Sequence, residues 1–243
     1  MAVERIQYQA GNIACNGALV YDERAGGPRP LLLMSTNWLG VTEDSINRAA
    51  QIAASKYVVF VADMYGGGKI AAGPPEAGPL ADGLRNDAPE RRRRIGAALD
   101  TLRSESDKRK IGDLKRQVAV GFCFGGGNVL ELARAGADIQ AVACLHGDLL
   151  TPLPAKAGTV KAAICVMHGS KDPVVPKQDR DSFEGEMEAS GAKWQMLVFG
   201  GLLHSFCEIE SDVPGIACYD AGAARQCFTM IDNFATAAFE GKL

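Results

Sequence analysis

Residues 118–127 read V-A-V-G-F-C-F-G-G-G. An apolar, β-branched run ends at Gly121. Cys123 stands two residues from a glycine on either side, and after Gly127 the pattern turns helical. This is the G-x-Nu-x-G spacing of a nucleophile elbow, with cysteine in the nucleophile's place. A strand that bends straight into a helix leaves no room for a Cβ beside the bend, which is why glycine flanks it. The bend pushes the central side chain into the open. It also sets that side chain at a helix N-terminus, where the partial positive charge of the amides favours thiolate over thiol.

Strand-like and helical segments alternate outward from this stretch. Residues 5–8 and 14–21 read as an N-terminal β-hairpin region, and 24–30 as a loop. Residues 30–34 (P-L-L-L-M) and 58–62 (V-V-F-V-A) are unbroken apolar runs of strand length, as expected for strands covered on both faces. Thr42 precedes a helix over 43–55. Residues 66–82, rich in Gly, Pro and Ala, read as a long surface excursion. Beyond it the sequence predicts helix 89–104, strand 117–121, helix 125–134, strands 140–145 and 162–168, helix 177–189, strand 193–198 and helix 219–239. Such alternation calls for a mostly parallel sheet with helices on both faces, an α/β fold with function at the carboxyl ends of its strands. No repeat, linker or low-complexity tract divides the 243 residues, so a single domain over 1–243 is expected.

Composition narrows the partners. Apolar residues make up 47% of the chain, and the formal net charge is −3. That balance gives no basic footprint for nucleic acid. The N-terminus, M-A-V-E-R-I-Q-Y-Q, carries no apolar leader, and no stretch is apolar for long enough to span a membrane. A cytoplasmic protein is expected, as a monomer or homodimer. The seven cysteines include no C-x-x-C pair, and the histidines are scattered, so a zinc site is not expected. Cys144 and Cys165 lie inside apolar runs and read as small core residues.

A cysteine nucleophile needs a base, and the base needs an orienting acid. Residues 164–176 (I-C-V-M-H-G-S-K-D-P-V-V-P) end a strand and then offer Asp172. Residues 198–206 (V-F-G-G-L-L-H-S-F) end another and then offer His204. Cys123, Asp172 and His204 would thus lie just beyond three strand ends, in the chain order nucleophile, acid, histidine. Asp172 would fix the tautomer of His204, which would exchange a proton with Cys123. The developing oxyanion would take hydrogen bonds from the backbone N–H of Phe124 and from the loop after the 30–34 run, at Trp38.

Each residue has a structural alternative. Cys123 could be a core thiol, Asp172 a turn residue in K-D-P, and His204 a loop histidine. His146 and His168 precede glycines at strand ends and read as structural hydrogen-bonding residues. The Arg91–Arg94 run reads as a solvated helix face, the alternative being an anion-collecting patch.

These motifs resemble the dienelactone hydrolase family of α/β-hydrolases over nearly the whole chain. The resemblance rests on G-F-C-F-G-G at 121–126, A-D-M-Y-G at 62–66, H-G-x-x-D-P at 168–173, G-G-x-x-H-S-F at 200–206 and A-C-Y-D-A-x-A-A at 217–224. It implies the α/β-hydrolase fold, a Cys123–Asp172–His204 triad and cofactor-free hydrolysis of small esters or lactones. Two substrate-binding positions depart from the family. Asn37 stands where the family has a proton-managing glutamate. Glu208 stands where the family has an arginine that holds a substrate carboxylate, so an anionic substrate would be repelled. The leading reading is therefore a cysteine hydrolase with an acyl-Cys123 intermediate. The alternatives are a degenerate α/β-hydrolase that only binds a small molecule, and a thiol redox sensor.

Overall fold

The computed structural model describes all 243 residues, which cluster into two compact units, Met1–Ala119 and Val120–Leu243. The first unit begins with a hairpin of β1 (Ala2–Ala10) and β2 (Ile13–Tyr21). There follow β3 (Arg29–Ser35), α1 (Glu43–Ala53), β4 (Val58–Ala62), α2 (Pro74–Arg85), α3 (Ala88–Lys108) and most of β5 (Gly112–Phe122). Its strand order is β1-β2-β4-β3-β5, with β2 antiparallel to β4 and β3 parallel to β4. Every residue of β4 is buried, and Leu31–Met34 of β3 are fully so. That explains why both read as continuous apolar runs.

The second unit runs from the end of β5 through α4 (Phe124–Arg134), β6 (Ala141–Leu145), β7 (Ala163–Gly169), α5 (Lys177–Ser190), β8 (Trp194–Phe199), a short antiparallel ribbon of β9 (Asp212–Val213) and β10 (Ala217–Cys218), and α6 (Ala221–Phe239). Its order is β5-β6-β7-β8, with β6, β7 and β8 parallel in register. β7 is buried throughout. β8 has no partner on its far side and contains only exposed and half-buried residues, as an edge strand does. The fold class is the expected one, mostly parallel strands interleaved with helices.

Helix starts follow local chemistry. Thr42 caps α1 by accepting from the Ser45 N–H at 3.2 Å, and Asp220 caps α6 by accepting from the Ala223 N–H at 2.7 Å. α4 is buried along its whole length, although it carries Glu131 and Arg134. Arg134 is ion-paired to Glu131 at 3.0 Å and to Glu186 of α5 at 2.7 Å, and also donates to the Leu149 carbonyl at 2.7 Å. Buried charge is tolerated because it is paired and hydrogen-bonded on several sides.

Two expectations need correction. Residues 66–82 are not irregular throughout, because α2 begins at Pro74. Proline is well placed in a helix's first turn, where its missing N–H is not needed, so Pro74 and Pro75 start the helix they seemed to forbid. The preceding loop is gathered by Asp63. Its carboxylate accepts from the N–H groups of Tyr65 (3.0 Å), Gly66 (2.9 Å), Gly68 (2.7 Å) and Asn16 (2.9 Å). Nor is Arg91–Arg94 a uniformly solvated face. Arg91 is buried, and Arg94 donates to the carbonyls of Met64 and Tyr65 at 2.8 and 2.9 Å. A guanidinium that meets backbone carbonyls can be buried where a lysine could not.

Candidate active site

Cys123 joins β5 to α4 with φ 52° and ψ −122°, a conformation unusual for a residue with a side chain. Holding a non-glycine residue there costs about 1–3 kcal/mol, which the surroundings must offset. Glycines make it sterically possible. A Cβ on Gly121 would lie 2.0 Å from the Gly125 carbonyl oxygen, and one on Gly126 would lie 2.7 Å from the Gly147 Cα. The Cys123 N–H donates to the Leu145 carbonyl at 3.0 Å and faces Nδ1 of His146 at 3.2 Å. The elbow is thereby anchored to the end of β6.

His204 lies beyond β8, and the ribbon holds its backbone. Its N–H donates to the Ile216 carbonyl at 3.0 Å, and its carbonyl accepts from the Cys218 N–H at 3.2 Å. Its Nε2 is 3.1 Å from Cys123 Sγ, and its Nδ1 is 2.8 Å from Asp172 Oδ2. Asp172 follows β7 in a tight turn, where Oδ1 accepts from the N–H groups of Val174 (2.8 Å) and Val175 (3.0 Å). Sulfur, imidazole and carboxylate therefore form one continuous line of contacts.

Electrostatics agree with that line. Burial alone would raise the Asp172 carboxyl, but hydrogen bonds from His168 and His204 outweigh it and hold the group well below the usual carboxylate range. Burial would likewise lower His204. Its electrostatic and hydrogen-bonding contacts with Cys123 and Asp172 prevail and raise it to about 11. The imidazole is thus placed to accept a proton and to keep it while a carboxylate faces its other nitrogen.

The remaining sequence candidates are distributed as follows. Phe124 is buried and is the first residue of α4. Glu208 is buried in a turn, its N–H donating to the Ser205 carbonyl and its carbonyl accepting from Ser211, both at 2.9 Å. Asn37 and Trp38 belong to the first unit, in the loop after β3. Asn37 Oδ1 accepts from the Leu39 N–H at 3.0 Å, and the Trp38 carbonyl accepts from the Tyr65 hydroxyl at 2.7 Å. No group of three or more His, Cys, Asp or Glu side chains is arranged to hold a metal ion, and no helix is long and apolar enough to cross a membrane.

His146 and His168 also lie against the site's own members. His168 Nε2 is 3.3 Å from Asp172 Oδ2, and the His146 ring packs edge-on against His204 at 5.4 Å between centroids. The available signal was that all three histidines of the chain fall at or just after strand ends.

Residues 16–238 match the model of the dienelactone hydrolase family. A protein of Escherichia coli K12 named "Putative carboxymethylenebutenolidase" is 23% identical over 196 residues, covering 76% of this chain and 70% of its own. The solved structure titled m3DLH is 32% identical with a TM-score of 0.91, over 98% of each chain. A dienelactone hydrolase-like promiscuous phosphotriesterase from metagenomic libraries, P91, is 30% identical with a TM-score of 0.88, again over 98% of each chain.

Proposed function

The chain belongs to the dienelactone hydrolase family, and from that membership we propose that it hydrolyses small esters or lactones through an acyl-Cys123 intermediate. His204 Nε2 holds the proton drawn from Cys123 Sγ while the sulfur attacks the substrate carbonyl carbon. The Phe124 N–H donates to the oxyanion that forms. Collapse of the tetrahedral intermediate breaks the C–O bond, and the His204 imidazolium gives its proton to the departing alkoxide. A thioester remains on Cys123. Water, deprotonated by His204, then attacks the thioester carbonyl, releasing the acid and returning the sulfur to its starting state. Asp172 stays ionised throughout and steers the ring.

The observation that carries this reading is the position of the His204 ring, 3.1 Å from the sulfur on one side and 2.8 Å from the carboxylate on the other. Neutral substrates are favoured over anionic ones, on the ground that Glu208 occupies the place of the family's carboxylate-binding arginine. A phosphotriester belongs in the test panel, because the 30%-identical relative is titled a promiscuous phosphotriesterase.

The test is turnover of p-nitrophenyl acetate, neutral and anionic lactones and a phosphotriester by the wild type and Cys123→Ala. Loss of about 10⁴-fold or more in kcat for the variant is expected, with an acyl adduct on Cys123 in the mass spectrum of the wild type. Equal rates for the two proteins would refute the proposal. Ligand-induced thermal stabilisation without turnover would favour a binding protein instead. Selective sulfenylation of Cys123 at low peroxide without turnover would favour a redox sensor.

A further inference from the structure

The proposed mechanism gives His168 no role, yet its ring meets the same carboxylate oxygen as His204. Asp172 Oδ1 is occupied by the N–H groups of Val174 and Val175. Oδ2 is approached by two imidazoles, His204 Nδ1 at 2.8 Å and His168 Nε2 at 3.3 Å. His168 Nε2 also lies 3.2 Å from the Val175 carbonyl oxygen. Both neighbours of Nε2 are acceptors, so that nitrogen carries the hydrogen and donates. The other nitrogen, Nδ1, is wholly buried and has no partner. The contacts of His168 with the turn are therefore all made through Nε2.

Its place in the fold gives the contact meaning. His168 belongs to β7, a strand buried along its length, whereas Asp172 lies in the turn beyond it. One N–H thus reaches both ends of the Asp172–Val175 turn and ties them to the sheet. Without it, the oxygen that aims His204 at the sulfur would be held only through that turn and His204 itself.

We propose that His168 is a positioning residue: its Nε2–H fixes Oδ2 of Asp172 from β7 and so sets the aim of the His204 ring at Cys123. The proposal rests on the reading of Cys123, Asp172 and His204 as the reacting groups. The charged and titratable groups around this pair include Cys123 and His204 on one side and, from the start of α5, Asp179 and Arg180 on the other, Arg180 donating to the Gly169 carbonyl at 2.9 Å.

The experiment measures kcat and KM for p-nitrophenyl acetate from pH 5 to 9 with the full chain. The proteins are the wild type, His168→Leu, His168→Gln and Cys123→Ala. H168L removes the donor and should lower kcat about 10–100-fold, the range for losing a supporting hydrogen bond behind a reacting group, with KM changed less than about twofold. Its pH profile should differ from that of the wild type, because the His204–Asp172 contact loses the group that shares Oδ2 with it. H168Q places an amide N–H near the lost one and should return kcat to within about threefold of wild type. A wild-type kcat and pH profile in H168L would overturn the proposal. So would an effect confined to KM, or an H168Q as impaired as H168L. Should H168L not fold, His168→Asn, whose amide is too short to reach Oδ2, takes its place with the same expected losses. Full activity in C123A would instead refute the underlying reading of the site, which keeps the two failures apart.

Discussion

The backbone N–H of Cys123 faces Nδ1 of His146 at 3.2 Å, and both residues hold positive φ angles, 52° and 39°. Two strained strand ends, one after β5 and one after β6, are therefore joined through a side chain as well as through the 3.0 Å bond from the Cys123 N–H to the Leu145 carbonyl. His146 is itself tied to β7, its N–H donating to the Met167 carbonyl at 2.8 Å. Its ring also packs edge-on against Phe206 at 5.3 Å.

Replacing His146 by Phe tests the side-chain half of that link. The substitution keeps an aromatic ring and deletes the acceptor, while the Cys123 N–H retains Leu145. The loss should be that of one ordinary hydrogen bond, about 1 kcal/mol. For a chain of this size that lowers Tm by roughly 2–4 °C. Thermal unfolding by circular dichroism reads it directly. An unchanged Tm would show that the bond to Leu145 alone secures the elbow.

Two glycines give opposite predictions for the same change. At Gly121 an added methyl would meet the Gly125 carbonyl at 2.0 Å, and neither strand end nor helix start can withdraw. Gly121→Ala should cost more than about 3 kcal/mol, at or beyond the top of the usual range for overpacking, and should abolish the soluble folded protein. Gly185 lies inside α5, where an added methyl would point into open space with no other atom within 4 Å. Gly185→Ala should stabilise by about 0.5–1 kcal/mol, by restricting the unfolded chain and favouring the helix. Soluble yield and urea unfolding decide both. A well-folded G121A would mean that the bend is not sterically determined.

How much of this could be read from the sequence depended on whether a feature is local. β4 and β7 were recognisable because strands buried on both faces are apolar at every position. Cys123, Asp172 and His204 were recognisable because each follows a strand end with glycine or proline beside it. α2 was missed because Pro74, Pro75 and Pro79 read as punctuation, and a proline's meaning changes with its place in a helix. Arg91 was misread because charge alone does not reveal which carbonyls or carboxylates a fold brings near. The ribbon that holds His204 by its backbone comprises two-residue strands, too short for any periodicity. The contacts of His146 with Cys123 and of His168 with Asp172 join different strand ends, and no spacing along the chain encodes them.

The Asp172–His204 pair should also set how stability varies with pH. Asp172 is held below its unfolded value of about 3.9. Its contribution is complete above that value and fades as pH falls through the lower folded one. His204 is raised from an unfolded value of about 6.5 to about 11. Its contribution is complete below 6.5 and fades as pH rises towards 11. Both contributions are therefore whole only between about pH 4 and 6.5. Asp172→Asn removes the carboxylate and with it part of what raises His204. It should destabilise by about 3 kcal/mol in that window, the scale of breaking a buried charged pair. The gap from wild type should narrow on both sides, below pH 4 and above pH 6.5. Urea unfolding of the two proteins from pH 3 to 10 measures the gap, since groups common to both cancel. A constant difference across the range would mean that Asp172 acts through its turn contacts with Val174 and Val175 and not through its charge on His204. The same variant should lower kcat by about 10⁴-fold, the loss typical when the acid of such a triad becomes an amide that cannot fix the ring's tautomer.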